Sequence, residues 1–255
     1  MYEDSYAGDP LDKARNFFEE GLYGHATQLL EEYLQEEPES YEGRLFLADC
    51  FYESRDLDKA ADHYLQCLRQ EPSDVEPWLR LGLIYSQQGK PQKALEHFAE
   101  AARIDPSCDR AYAYRIPCYQ ALGMREDAIQ AFDQAEVLNN ENADAHFFIG
   151  AFYYEQSDID FAIKHLERAL WLDVTYPNAR NMLANCFRSK KDSEKAKEYF
   201  EEQLYYEEDD EESLIGLAQI LLEEGDLART EPLIEHAGEL DPDNPQVDQL
   251  RAFLA

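Results

Sequence analysis

The chain has 255 residues, 44% of them hydrophobic, which is enough apolar material to bury the core of one large domain or two ordinary ones. Against 23 Lys and Arg stand 55 Asp and Glu, a formal net charge of −32, which excludes a protein that works mainly by gripping nucleic-acid backbone and disfavours an anionic membrane surface. Residues 1–6 carry neither the basic nor the apolar stretch of a signal peptide, and no apolar run reaches the roughly 18 to 20 residues of a membrane span, so membrane insertion is not expected and a cytoplasmic location is.

From Ala7 onward the chain divides into seven blocks of 34 residues without insertion or deletion: 7–40, 41–74, 75–108, 109–142, 143–176, 177–210 and 211–244. Residues 1–6 precede them as an N-terminal extension. Position 20 of the block is Ala26, Ala60, Ala94, Ala128, Ala162 and Ala196, then Thr230. Position 8 is small in six blocks, and bulky residues recur at position 11 (Phe17, Phe51, Tyr85, Tyr119, Tyr153, Phe187) and position 24 (Tyr64, Phe98, Phe132, Phe200). This spacing predicts two amphipathic helices per block, A and B, that approach closely at the small positions and fill the adjoining space with the large ones. Gly21, Gly89, Gly123 and Gly225 at position 15 end helix A, and Pro38, Pro72, Pro106 and Pro242 at position 32 end helix B. Residues 245–255 place Val247, Leu250 and Leu254 on one face, as a C-terminal capping helix would. Arg251, Ala252 and Phe253 make that cap imperfect and leave room for end-to-end self-association.

The period of 34 and the residues Trp78, Leu81, Gly82, Tyr85, Ala94, Phe98, Ala101 and Pro106 of the third block resemble the tetratricopeptide repeat family. The resemblance covers residues 7–244. It implies an all-α fold, a right-handed superhelical solenoid of stacked helix-turn-helix repeats whose concave groove binds peptides or partner helices. The carboxylate clamp that some family members use for chaperone C-termini needs a set of Lys, Asn and Arg that no three consecutive blocks supply here; Arg80 and Arg110 are isolated fragments of it.

Chemistry-bearing motifs are sparse. The glycines form neither a dinucleotide-binding nor a P-loop pattern, and the histidines form no HExxH. His63, His97 and His165 share position 23, read as the outer face of helix B and too far apart across repeats to share a metal ion. Cys50, Cys67, Cys108, Cys118 and Cys186 show no ligand spacing and read as reduced thiols serving as small core residues. No catalytic residue, cofactor or metal site is expected.

Positions 2, 5, 9, 12 and 13 of helix A share the face that the resemblance assigns to the groove. In the sixth block Asn178, Asn181, Asn185 and Arg188 form a polar stripe suited to hold the main chain of an extended ligand, with Arg188 for a carboxylate. Leu79, Leu83, Phe147 and Tyr154, with Tyr114, Phe148 and Arg110, add apolar, aromatic and basic contacts along the middle. The fourth block departs from the pattern: Arg115 and Ile116 occupy packed positions, and Pro117 should bend helix A. Arg115 then needs an acidic or carbonyl partner, or must turn outward.

Together these features point to a non-catalytic scaffold that binds a protein or peptide in its groove. Two other readings fit the same residues: a chaperone-like protein that captures a basic or secreted partner through its acidic ends, and a docking or regulatory subunit of an enzyme assembly. The two end blocks, 7–40 and 211–244, carry −7 and −9 of the net charge, while the groove positions of the third to sixth blocks sum to −1 (Glu76, Asp144 and Glu155 against Arg110 and Arg188), so the central groove is nearly neutral.

Overall fold

The computed structural model describes residues 9–176 and 178–254. The N-terminal extension 1–6, the start of the first block, Pro177 at the start of the sixth and Ala255 lie outside the described residues. Sixteen helices and no strand are present among those described. In chain order they are α1 (Pro10–Glu19), α2 (Tyr23–Glu36), α3 (Tyr41–Glu53), α4 (Leu57–Gln70), α5 (Val75–Gln87), α6 (Pro91–Ile104), α7 (Asp109–Ala113) and α8 (Arg115–Ala121). They continue as α9 (Arg125–Leu138), α10 (Ala143–Glu155), α11 (Ile159–Leu172), α12 (Ala179–Ser189), α13 (Ser193–Tyr206), α14 (Glu211–Glu224), α15 (Leu227–Leu240) and α16 (Pro245–Leu254). The B helices α2, α4, α6, α9, α11, α13 and α15 each have 14 residues and start 34 residues apart.

Each hairpin turns at position 15, where the backbone is left-handed in all seven blocks. Glycine supplies that conformation at Gly21, Gly89, Gly123 and Gly225, whereas Arg55, Ser157 and Lys191 adopt it with φ of 65°, 61° and 61°. Helix starts follow a second rule that the sequence reading overlooked. Ser40, Asp74, Asn142 and Asp210, all at position 34, accept a backbone N–H from the first turn of the next helix A. Asp56, Asp192 and Asp226, all at position 16, do the same for helix B. Part of the acidity is therefore invested in helix starts, where a carboxylate also meets the positive end of the helix dipole.

The chain forms two compact units, Met1–Arg125 and Glu126–Ala255. In unit one, Ala14, Ala26, Ala48, Phe51, Ala60 and Tyr64 make one core cluster, and Leu79, Ala94, Phe98 and Ala111 another. Tyr64 is fully buried and donates its hydroxyl to Asp49 at 2.5 Å. Gly82 lies against the Phe98 ring so closely that no Cβ fits between them. In unit two, Ala162, Leu166, Ala184, Phe187, Ala196 and Phe200 repeat the same small-against-large scheme. Helix α16 closes that unit by burying Val247 and Leu250 against α14 and α15, while Phe253 stays 75% exposed.

In the fourth block Pro117 interrupts helix A more completely than a bend: the helix divides into α7 and α8 around Tyr114. Without an N–H at Pro117 the Ala113 carbonyl loses its helical donor, and the chain steps at the next residue. Among the described residues Arg115 pairs with neither an acid nor a carbonyl. It donates to the Tyr119 hydroxyl at 2.8 Å and lies 5.7 and 5.5 Å from the Tyr112 and Tyr119 ring centres, so aromatic faces replace the partner expected from the sequence. All five cysteines are free and buried. Burial pushes the Cys50 and Cys186 thiols up to about 12, which keeps them protonated and unreactive.

Candidate functional site in the second unit

Helix α12 carries most of the predicted polar stripe, yet its members have different fates. Asn178 is left-handed, with φ of 61°, and exposed; it precedes the helix and makes no capping bond. Asn181 is only 1% exposed. Its amide donates to Asp210 Oδ2 at 2.8 Å, and its carbonyl accepts from the fully buried Ser213 hydroxyl at 2.6 Å. Asp210 is also the N-cap of α14. Asn181 thus ties α12 to the start of α14 and, at that burial, is out of a ligand's reach, which corrects its assignment to the groove.

The reason extends to four of the seven position-5 residues. Their side chains enter the seam between one helix A and the next, as the burial of Leu79, Ala113, Asn181 and Ile215 shows. Leu79, at 1% exposure, is likewise a core residue and not a groove contact.

Further along α12, Asn185 and Arg188 remain accessible and reach α14: Asn185 donates to Glu212 at 2.8 Å and Arg188 to Gln219 at 2.7 Å. Two cavities meet at these residues. One, of about 570 Å³, is lined among others by Tyr154, Ser189, Lys191, Ser193 and Glu223; the other, of about 320 Å³, by Glu212, Ile215, Gln219 and Gln246. Arg188 and Lys191 give the first a basic wall in a unit that carries 10 Lys and Arg against 31 Asp and Glu. Lys191 was missed in the sequence, although the cue was present: it stands at position 15, where four other blocks have glycine.

The aromatic candidates of unit two are half-buried. Phe147 packs on Tyr176, ring centres 4.8 Å apart, and on Phe148 at 5.8 Å; only Tyr154 of this group lines the larger cavity. In unit one, Leu83 and Tyr114 pack against the core cluster around Phe98. Arg110 is exposed and pairs with Glu76 at 2.8 Å, which also holds Arg80. The predicted set is therefore not one surface. Tyr154, Asn185 and Arg188 are brought together, while the unit-one residues serve their own packing and ion pairs.

The histidines are not on the outer face, as position 23 was read. His63 and His97 stack on Phe51 and Tyr85 of position 11 in their own hairpins, at 5.5 and 5.0 Å. His165 is 7% exposed and stacks on Tyr153; its Nδ1 faces Nδ1 of the equally buried His146 at 3.2 Å. Position 23 faces the bulky position-11 ring across the hairpin, so an imidazole there fills core volume. Burial pulls both pKa values of the pair down, that of His165 to about 4, where the charge of His146 adds to the effect.

Tetratricopeptide repeat profiles match residues 75–108, residues 17–81 and 187–254, and residues 119–180. No curated protein sequence matches the chain. Among solved structures, a chain of the APC/C hetero-tetramer Cut9-Hcn1 superposes with a TM-score of 0.80 at 15% identity, over 95% of this chain and 48% of that one, so this chain spans about half its length. A tetratricopeptide repeat protein from Parabacteroides merdae gives 0.69 at 16% identity over 96% of both chains. YrrB, described as a TPR protein with an unusual peptide-binding site, gives 0.54 at 17% identity, over 75% of this chain and 99% of its own. At these identities the likeness concerns the fold, and among the described residues no helix is long and apolar enough to cross a membrane. The repeat profiles and the helical hairpins agree: the chain belongs to the tetratricopeptide repeat family.

Proposed function

We propose that the chain is an interaction scaffold whose second unit holds an extended segment of a partner protein, with ligand main chain on Asn185 and a ligand carboxylate on Arg188 and Lys191. The observation that carries this reading is the meeting of two open cavities at Asn185 and Arg188. The amide of Asn185 can both donate to and accept from a peptide group. Arg188 engages a neutral amide, Gln219, so its charge is not neutralised by that contact and is available to a carboxylate. Tyr154 supplies an aromatic wall beside them. Family membership supports a protein partner, and the cavity lining narrows its chemistry to an extended, carboxylate-bearing segment.

A displayed library of 12-residue peptides with free C-termini, selected on the intact chain, tests the proposal. Enriched peptides should carry an acidic side chain or need their C-terminal carboxylate. They should bind Arg188→Ala at least 10-fold more weakly by fluorescence anisotropy, the range of a charge-assisted hydrogen bond of about 1.5–3 kcal/mol. Peptides that bind Arg188→Ala and Asn185→Ala as well as wild type would overturn it.

A further inference from the structure

We infer a second docking surface, on the B helices of unit two, that accepts a basic amphipathic helix of a partner protein. The inference does not depend on the cavity at Asn185 and Arg188.

It starts from position 29 of the block. In the fourth, fifth and sixth blocks that position is Val137, Trp171 and Tyr205; in the other four it is Gln35, Arg69, Arg103 and Glu239. Each of the three apolar residues is the penultimate residue of its helix, α9, α11 and α13. They are 86%, 69% and 85% exposed, a degree of exposure that scattered surface apolar residues do not share in register. The period places one of them on each of three successive repeats. Arg168, from the same helix, lies 4.1 Å from the Trp171 ring centre.

One helical turn earlier, at position 25, the same three helices carry Asp133, Glu167 and Glu201, all exposed. An acidic row therefore runs beside the apolar row. Glu201 is engaged by Arg229 at 2.6 Å, whereas no ion pair is formed by Asp133 or Glu167 among the described residues.

These two rows define their occupant. Helices α11 and α13 both pack on α12, so the rows lie on successive hairpins, and a helix laid across them presents one side chain of a given face every two turns, about seven residues. Apolar residues at that interval would cover Val137, Trp171 and Tyr205, and Lys or Arg on the adjoining stripe would meet the acids. Nucleic acid and anionic membrane are repelled by the net −21 of the unit. A second copy of the chain would bring acid against acid.

The chain has two tryptophans, Trp78 and Trp171, so Trp78→Phe leaves Trp171 as the sole reporter. The probe is a 21-residue helical peptide with Leu once per heptad and Lys one turn away; its twin has Glu for Lys. We expect the Lys peptide to shift Trp171 emission to the blue and the Glu twin to have no effect. By anisotropy of labelled peptide, Val137→Ser/Trp171→Ser/Tyr205→Ser and Asp133→Lys/Glu167→Lys should each bind at least 10-fold more weakly. Asn185→Ala/Arg188→Ala should bind as wild type, which separates this surface from the cavity. The side chains altered on α9, α11 and α13 are exposed, and unchanged helical circular dichroism confirms folding of every variant. Equal binding by the triple Ser variant overturns the inference. So does binding of the Glu twin, Trp171 insertion into phosphatidylcholine vesicles without peptide, or a dimer in sedimentation that the triple Ser variant abolishes.

Discussion

Replacing Asn181 by Ala separates a residue that builds the scaffold from one that serves a ligand. The substitution removes a hydrogen bond to the Asp210 carboxylate, worth about 1.5–3 kcal/mol, and leaves the fully buried Ser213 hydroxyl without its acceptor, a further cost of about 1–3 kcal/mol. Asn181→Ala should therefore destabilise unit two by about 3–5 kcal/mol, whereas Asn185→Ala, which loses one solvent-accessible contact with Glu212, should cost under about 1 kcal/mol. Adding Ser213→Ala to Asn181→Ala removes the orphaned hydroxyl and should recover about 1–2 kcal/mol, a coupling that a double-mutant cycle reads directly. Urea unfolding followed by circular dichroism measures the wild type, Asn181→Ala, Ser213→Ala, their double variant and Asn185→Ala. If Asn181→Ala lies within 1 kcal/mol of Asn185→Ala, or if the cycle shows no coupling, the seam between α12 and α14 does not depend on this bond and the reasoning fails.

Close packing gives a second contrast: Gly82→Ala drives a Cβ into the Phe98 ring and should cost about 1–3 kcal/mol, while Gly24→Ala, with open space around it, should be neutral or stabilising by up to about 1 kcal/mol in the same assay. Arg55→Gly and Ser157→Gly relieve left-handed strain and should each stabilise by about 0.5–1 kcal/mol, read as a rise in Tm. The folded pKa values of His146 and His165 lie below the unfolded value near 6.5, because burial favours the neutral rings. The unfolded chain therefore takes up protons first as pH falls. The contribution of His165 is complete above pH 6.5 and is lost as the pH drops through about 4; that of His146 is lost in the same direction. His165→Leu should flatten that part of the stability profile in unfolding experiments run from pH 7 to pH 4.

The repeat was legible in the sequence because helix pairing is a matter of size: Ala at position 20 and a bulky residue at position 24 can be satisfied in few other ways. The helix wheel was less reliable for position 5. It gives the direction of a side chain about its own axis but not the tilt of that helix against the next, and the tilt is what buries Leu79 and Asn181. The same limit misplaced His165, whose neighbour across the hairpin matters more than its place on the wheel. Pro117 signalled a disturbance, but its remedy, a step at Tyr114 with Arg115 over two tyrosine rings, depends on side chains that adjoin only once the hairpin has folded.

The left-handed turn has a consequence for how such an array acquires chemistry. Where the turn residue is glycine, the corner is conformationally easy and presents no side chain. At Lys191 the same corner accepts backbone strain and gains an ammonium group at the wall of the larger cavity. The corner is thus a place where a repeat exchanges ease of folding for recognition. Lys191→Gly should make the chain more stable and a poorer receptor in the same step, so a sequence optimised for stability alone would erase the basic wall.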